Sequence, residues 1–106
     1  MALENGDRYQ EANVWDSLGY AHQQAGQHAE ATACYLQAVE LHRAAGSRWG
    51  AGDTLGHLGD TCHAAGKLQE ARAFWEEALA ILADLNAPEA DQIRARLTDL
   101  GAELRD

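Results

Sequence analysis

From Trp15 to Ala38 the chain reads W-D-S-L-G-Y-A-H-Q-Q-A-G-Q-H-A-E-A-T-A-C-Y-L-Q-A. Forty residues later, from Leu55 to Ala78, it reads L-G-H-L-G-D-T-C-H-A-A-G-K-L-Q-E-A-R-A-F-W-E-E-A. The matches fall in register: Gly6 with Gly46, Arg8 with Arg48, Leu18 with Leu58, Gly19 with Gly59, Ala25 with Ala65 and Gly26 with Gly66. Glu30, Ala31, Ala33 and Ala38 recur as Glu70, Ala71, Ala73 and Ala78, and aromatic residues correspond at Tyr9/Trp49 and Tyr35/Trp75. Self-similarity at a fixed period of this size marks a solenoid, in which each unit buries its apolar face only by stacking on its neighbours. The repeat therefore constrains the fold strongly and the function only as far as a surface that binds something.

The periodicity inside each unit is helical. Apolar residues recur at spacings of three and four at Ala12, Trp15, Leu18, Ala21 and Ala25, which predicts a first helix over about Arg8–Ala25 with these residues inward. Asp7 and Gln10 read as a capping box at its start, after a lead over Met1–Gly6. Gly26 follows as a left-handed C-terminal cap, and Gly46 closes a second helix that starts near His28. Ala31, Cys34, Tyr35, Ala38, Val39 and one of Leu41 or His42 form that helix's inward side. A third helix, about Arg48–Ala65 and capped by Ser47, carries Gly50, Gly52, Gly56 and Gly59. Each interior glycine costs about 1 kcal/mol relative to alanine, so packing must hold this helix, and on propensity its amides exchange faster than those of helix four.

Helix four, about Leu68–Leu85, has the broadest stripe: Leu68, Ala71, Trp75, Ala78, Leu79 and Leu82, widened by Phe74, Ile81 and Leu85. Asn86 suits a left-handed C-terminal position, and Pro88 opens a fifth helix to about Leu104 with Ile93, Leu97, Leu100 and Leu104 inward. Its L-T-D-L-G matches L-G-H-L-G at an offset of forty-two, which makes it the first helix of a third, incomplete unit. Close approach of two antiparallel helices needs small residues. Gly19 and Gly59 are expected to face Ala31 and Ala71, with Trp15, Tyr35 and Trp75 filling the wider spaces.

W-x-x-L-G followed by Ala31, Tyr35 and Ala38, repeated as L-x-x-L-G, Ala71, Trp75 and Ala78, resembles the tetratricopeptide (TPR) pattern over roughly residues 8–104. The family's usual period is 34, so each helix here is about a turn longer. The forty-residue unit, with A-G-S-R-W-G-A-G-D-T-L-G-H-L-G and later A-L-A-I-L, also resembles the C-terminal repeats of actinobacterial antibiotic-regulatory and signal-transducing ATPase regulators. The resemblance implies an all-α, right-handed solenoid forming one domain over residues 1–106: units 7–46 and 47–86, then a terminal helix 88–104. It implies a protein–protein interaction module and a segment of a bacterial transcription regulator. In the family the first helix of each unit lines the concave groove. That places Asn13, Asp16, Tyr20, Gln23 and Gln24 there from unit one, Asp53, Gly56, Asp60 and His63 from unit two, and Thr98 and Ala102 from helix five. The family's peptide-carboxylate clamp uses Lys, Arg and Asn, whereas Asp16, Asp53 and Asp60 stand here, so the groove suits a basic or neutral peptide or helix.

Charge points the same way. Eight basic residues face seventeen acidic ones, for a formal net charge of −9. A surface that tracks a phosphate backbone needs clustered Lys and Arg, so direct nucleic-acid binding is not expected. No apolar run approaches the length of a membrane span, and Met1–Asp7 lacks the features of a signal peptide, which predicts a cytoplasmic protein. Cys34 and Cys62 read as buried small hydrophobes in a reducing compartment. His57, Cys62 and His63 lack metal-ligand spacing, and His22, His28 and His42 stand apart, so no metal and no cofactor are expected. Ser17 and Ser47 lie outside any nucleophile motif, and an Asp16–Asp60 acid/base couple would have no pocket around it, so the chain does not read as an enzyme. The other reading is self-association. Trp49, Trp75, Phe74 and the leucines of helix five are a large apolar supply, and the open ends of a solenoid invite a homodimer through helix five. Otherwise helix five caps the end, with Arg94, Arg96, Asp99 and Glu103 outward.

Overall fold

In the computed structural model, which describes residues 5–105, five helices follow one another: α1 Asn5–Gln24, α2 His28–Ala44, α3 Arg48–Ala64, α4 Leu68–Asp84 and α5 Glu89–Arg105. Each helix packs on the next in chain order, giving an elongated stack of 54 × 31 × 17 Å. Among the described residues there is no strand. This is the all-α helical repeat expected from the period, and the TPR-like fold that the resemblance implies.

The turns are alike because their chemistry is alike. Gly26, Gly46 and Gly66 all have φ between 76° and 79°, and Asn86 takes φ 55° at the fourth turn. At each, the next residue's N–H reaches back five residues: Gln27 to His22 O, Ser47 to His42 O, Lys67 to Cys62 O and Ala87 to Leu82 O, at 2.8–2.9 Å. These bonds satisfy carbonyls that a helix end otherwise leaves unpaired. The Ser47 hydroxyl accepts from Gly50 N at 3.1 Å and caps α3 as its position predicts. Connections this short turn each helix back along its predecessor.

Four of the five helices begin and end within one residue of their expected bounds. Helix α1 differs. It already includes Asn5 and Gly6, so Asp7 lies within the first turn and does not cap it; its carboxylate meets the positive end of the helix dipole. The rest of the expected lead, Met1–Glu4, lies outside the described residues. Leu18 is 43% exposed, and Ala21 and Ala25 are also exposed rather than inward. The cause is position in the stack. Leu58, the counterpart of Leu18, is fully buried in α3, which has α2 on one side and α4 on the other, whereas among the described residues α1 packs mainly on α2.

One core runs through the stack. Tyr35, Leu58, Leu82 and Leu100 are each at most 1% exposed, and His42 takes the inward place that the sequence left between it and Leu41. Cys34 and Cys62 are free, buried thiols. The glycines of α3 are covered: an added Cβ on Gly50 would strike the His42 ring, one on Gly52 would meet Ile81 and Leu82, and one on Gly56 would meet Ile93. Helix α3 is thus the most enclosed element, and its burial opposes the fast amide exchange that propensity alone suggests.

The expected glycine–alanine apposition is also corrected. Gly19 lies under the Tyr35 ring, 2.7 Å from where its own Cβ would stand, and Gly59 lies under the Trp75 indole. Ala31 and Ala71, one turn earlier on the second helices, are fully buried beside these rings. Each hairpin is therefore a ring-on-glycine contact, because a flat aromatic fills the space that a missing side chain opens.

Candidate functional site

The first helices α1, α3 and α5 contribute polar side chains to one side of the stack. On α3 the spacing Asp53, His57, Asp60, His63 keeps these groups along one face of the helix. On α5, Glu89, Gln92, Arg96, Asp99 and Glu103 follow at alternating spacings of three and four, which is again one stripe. The two rows meet. Arg96 Nε lies 3.2 Å from Asp60 Oδ1, and His63 Nε2 lies 3.0 Å from Glu103 Oε1. Higher on the same joint, Trp49 Nε1 donates to Glu89 Oε2 at 3.2 Å. Between the rows are two clefts. One, of about 60 Å³, is walled by Asp53, Gly56, His57, Asp60, Glu89 and Arg96. The other, of about 340 Å³, is lined by Asp60, His63, Trp75, Arg96, Asp99 and Glu103. Five carboxylates thus surround one arginine and two histidines.

Local fields adjust these groups. Asp53 Oδ2 sits 3.4 Å from His57 Nε2, one turn along the helix. That contact raises the imidazole above its ordinary value against the opposing pull of burial. Burial pushes the Asp60 carboxyl up, even though Arg96, His57 and the Trp75 N–H hold its charged form. Trp75 Nε1 donates to Asp60 Oδ1 at 3.1 Å and to the Gly56 carbonyl at 3.2 Å, which fixes the indole over Gly59. In unit one, the Tyr35 hydroxyl donates to Gln23 Oε1 at 2.7 Å, and its ring stacks on His57 at 5.6 Å between centroids. Burial first, then the Asp16 and Asp60 charges, raise the Tyr35 phenol, so it stays a neutral donor.

Asp16 has a different place from the one its position suggests. Its Oδ2 lies 2.8 Å from His42 Nε2, and its Oδ1 accepts from Thr54 Oγ1 at 2.7 Å. It joins α1, α2 and α3 from within, with its side chain 24% exposed. Asp53, Gly56, Asp60 and His63 do come together along α3. Tyr20 is 56% exposed, Gln24 is exposed, and Gln23 is taken up by Tyr35. Asn13 lies with Val14, Ser17, Leu18 and Ala21 in a hollow on the outer side of α1, away from the α3–α5 clefts. Thr98 and Ala102 are exposed on α5 and line neither cleft. Asp16 and Asp60 each bond to separate partners and form no couple. Arg96 and Glu103, expected outward if helix five were a plain cap, reach across to α3 instead.

Sequence reasoning missed His57, Glu89, Gln92, Arg96, Asp99 and Glu103 as lining residues. The signal for the α5 set was present: its three-and-four spacing is a polar stripe on the flank opposite Thr98. Among the described residues no group of three His, Cys, Asp or Glu gathers as a metal ion requires. No helix there is long and apolar enough to cross a membrane. A family model described as tetratricopeptide repeat matches residues 10–84. No curated protein and no solved structure matches the chain.

Proposed function

We propose, from the premise that this chain belongs to the tetratricopeptide repeat family, that it binds a basic segment of a partner protein along the α1, α3 and α5 side. Repeats of this family generally mediate protein–protein interaction. The observation that carries the basic partner is the ring of carboxylates around the α3–α5 clefts, opposed by a single arginine. Opposite charges about 4 Å apart gain about 1 kcal/mol in water and about 4 kcal/mol when partly shielded, so a few Lys or Arg side chains suffice for selective docking. The role is non-catalytic. The likeness of the forty-residue unit to repeats of actinobacterial regulators supports a regulatory segment of a bacterial cytoplasmic transcription regulator as the wider setting.

Charge reversal tests this, at positions that do not hold the fold. Asp16 is unsuitable because it ties three helices together. Asp99→Lys with Glu103→Lys changes two exposed carboxylates of α5. Used as bait in the source cell's lysate, the wild-type chain captures a protein that the double variant releases, and capture weakens with added salt. A partner held equally by both baits would refute the acidic-face reading. Self-association has its own observation: Val14 and Leu18 of α1 are 60% and 43% exposed where the α3 counterparts Thr54 and Leu58 are buried. A homodimer through that face gives a mass that rises with concentration and falls back to the monomer in Leu18→Glu.

A further inference from the structure

The two joints between first helices are built differently. At the α1–α3 joint the Asp16 carboxylate fills the space between His42 and Thr54. At the α3–α5 joint Gly56 stands in the register of Asp16, and Leu82 and Arg96 stand in those of His42 and Thr54. The smaller cleft opens beside Gly56 instead, and an imidazole stands in its wall. His57 Nε2 lies 3.4 Å from Asp53 Oδ2, and 39% of the His57 side chain is exposed, so its proton exchanges with solvent while the helices stay folded.

Every element around this cleft bears on that proton. On α3 itself Asp53 and Asp60 act on His57, and Asp16 acts from α1. Helix α2 contributes the neutral Tyr35 ring, stacked on the imidazole, and α4 contributes Leu82, which carries no charge. Helix α5 contributes Glu89 and Arg96. In the neighbouring cleft His63 is held by Glu103 at 3.0 Å. With the imidazole neutral, three carboxylates less one guanidinium leave the smaller cleft a net charge of −2, and a proton on His57 halves it to −1. The neutral form also leaves Asp53 free beside Glu89 Oε1, a buried oxygen with no partner among the described residues. Both can then accept from an incoming cation.

We infer that His57 gates this face by pH: a basic segment docks at the α3–α5 clefts when the imidazole is neutral and is released when acid charges it. The inference rests on the reading of this face as a dock for a basic segment. The Asp53 contact raises the imidazole above its ordinary value, which brings the change toward neutral pH. Burial raises the Asp60 carboxyl, and its protonation weakens the dock in the same direction. Arg96 keeps its charge throughout and adds no pH dependence.

The test uses the whole chain and a rhodamine-labelled synthetic peptide of alternating Lys and Ala, with anisotropy read from about pH 6 to about pH 8.5 at constant ionic strength. Kd is expected to fall about tenfold as pH rises through the His57 titration, the effect of one charge in a partly shielded cleft. Linkage is reciprocal, so saturating peptide should lower the His57 midpoint seen by NMR by about one pH unit. His57→Gln should lose most of the slope, and Asp53→Asn should carry the midpoint of the binding profile to lower pH. His22→Gln, whose ring bonds Gln27 outside the clefts, should keep the wild-type slope. No saturable binding by the wild type at any pH, or equal binding by Asp99→Lys with Glu103→Lys, would overturn the acidic-face reading and the gate with it. Binding that this double variant loses, with a His57 midpoint unmoved by saturating peptide or a slope intact in His57→Gln, would overturn the gate alone.

Discussion

Gly59→Ala and Gly101→Ala are the same substitution at equivalent places, and they should change stability in opposite directions. Both replace an interior helical glycine, which contributes about 1 kcal/mol of helix propensity in the variant's favour. At Gly59 the new methyl group would occupy the space of the Trp75 ring at its inner edge, near the Cγ by which it joins its own helix. The ring cannot swing aside freely. It is 3% exposed and its N–H is shared between the Gly56 carbonyl and Asp60. Overpacking costs about 1–3 kcal/mol, and loosening the indole's hydrogen bonds costs about 1 kcal/mol more. The net for Gly59→Ala is a loss of about 1–3 kcal/mol after the propensity gain. At Gly101 an added Cβ would meet only Arg105 Nη2, at 4.0 Å, among the described residues. Gly101→Ala therefore keeps that gain, about 0.5–1 kcal/mol. For a domain of this size 1 kcal/mol moves Tm by about 4–8 °C, so the two variants should separate by about 10 °C or more. Urea and thermal unfolding followed by circular dichroism measure both. Gly59→Ala as stable as wild type would refute the ring-on-glycine account of the hairpin.

Two further outcomes follow from polar contacts. Asp16→Ala leaves His42 and Thr54, which are 1% and 0% exposed, without their acceptor; at about 1–3 kcal/mol per orphaned group, a loss of about 2–6 kcal/mol is expected in urea unfolding, and an unchanged midpoint would remove Asp16 from the interior. His57 is raised by its contact with Asp53. A histidine raised on folding contributes stability that is full below its unfolded value near 6.5 and is lost as pH rises through the folded value. The imidazole should titrate above 6.5 by NMR and drop in Asp53→Asn, and a midpoint at or below 6.5 in the wild type would contradict the contact.

The fold was legible because its determinants are local and repeated. Three glycines and Asn86 each close a helix by the same left-handed turn, and Ser47 caps α3 through its own hydroxyl. What the sequence could not distinguish was Leu18 from Leu58. The residues and their spacing are identical, and only the presence of a helix on the far side buries one and exposes the other. Nor does composition reveal what a glycine faces. Gly19 and Gly59 signal close approach, but whether a methyl group or a ring lies opposite depends on the offset between two helices along their axes, which no single helix encodes.

The site was half legible for a geometric reason. A first helix within the stack has two flanks, one toward the preceding first helix and one toward the next. Residues carried over by register, such as Asp16, Gly56, Asp60, Thr98 and Ala102, belong to the forward flank. On α1 and α3 that flank meets a neighbour: Asp16 accepts from Thr54, and Asp60 pairs with Arg96. Thr54 and Arg96 are themselves counterparts, forty-two residues apart, on the backward flanks of α3 and α5. A carboxylate-to-donor link is thus made at both joints, from aspartates one turn apart in register, and it ties up the aspartates that looked freest in the sequence. On α5 the forward flank meets nothing among the described residues, so Thr98 and Ala102 line no cleft there, while Asp99 and Glu103 do. A basic ligand would therefore find its least committed charge on α5, beside an arginine already engaged with Asp60. Register identifies which residues are equivalent; it is the number of neighbours each helix has that decides whether an equivalent residue binds its own chain or another.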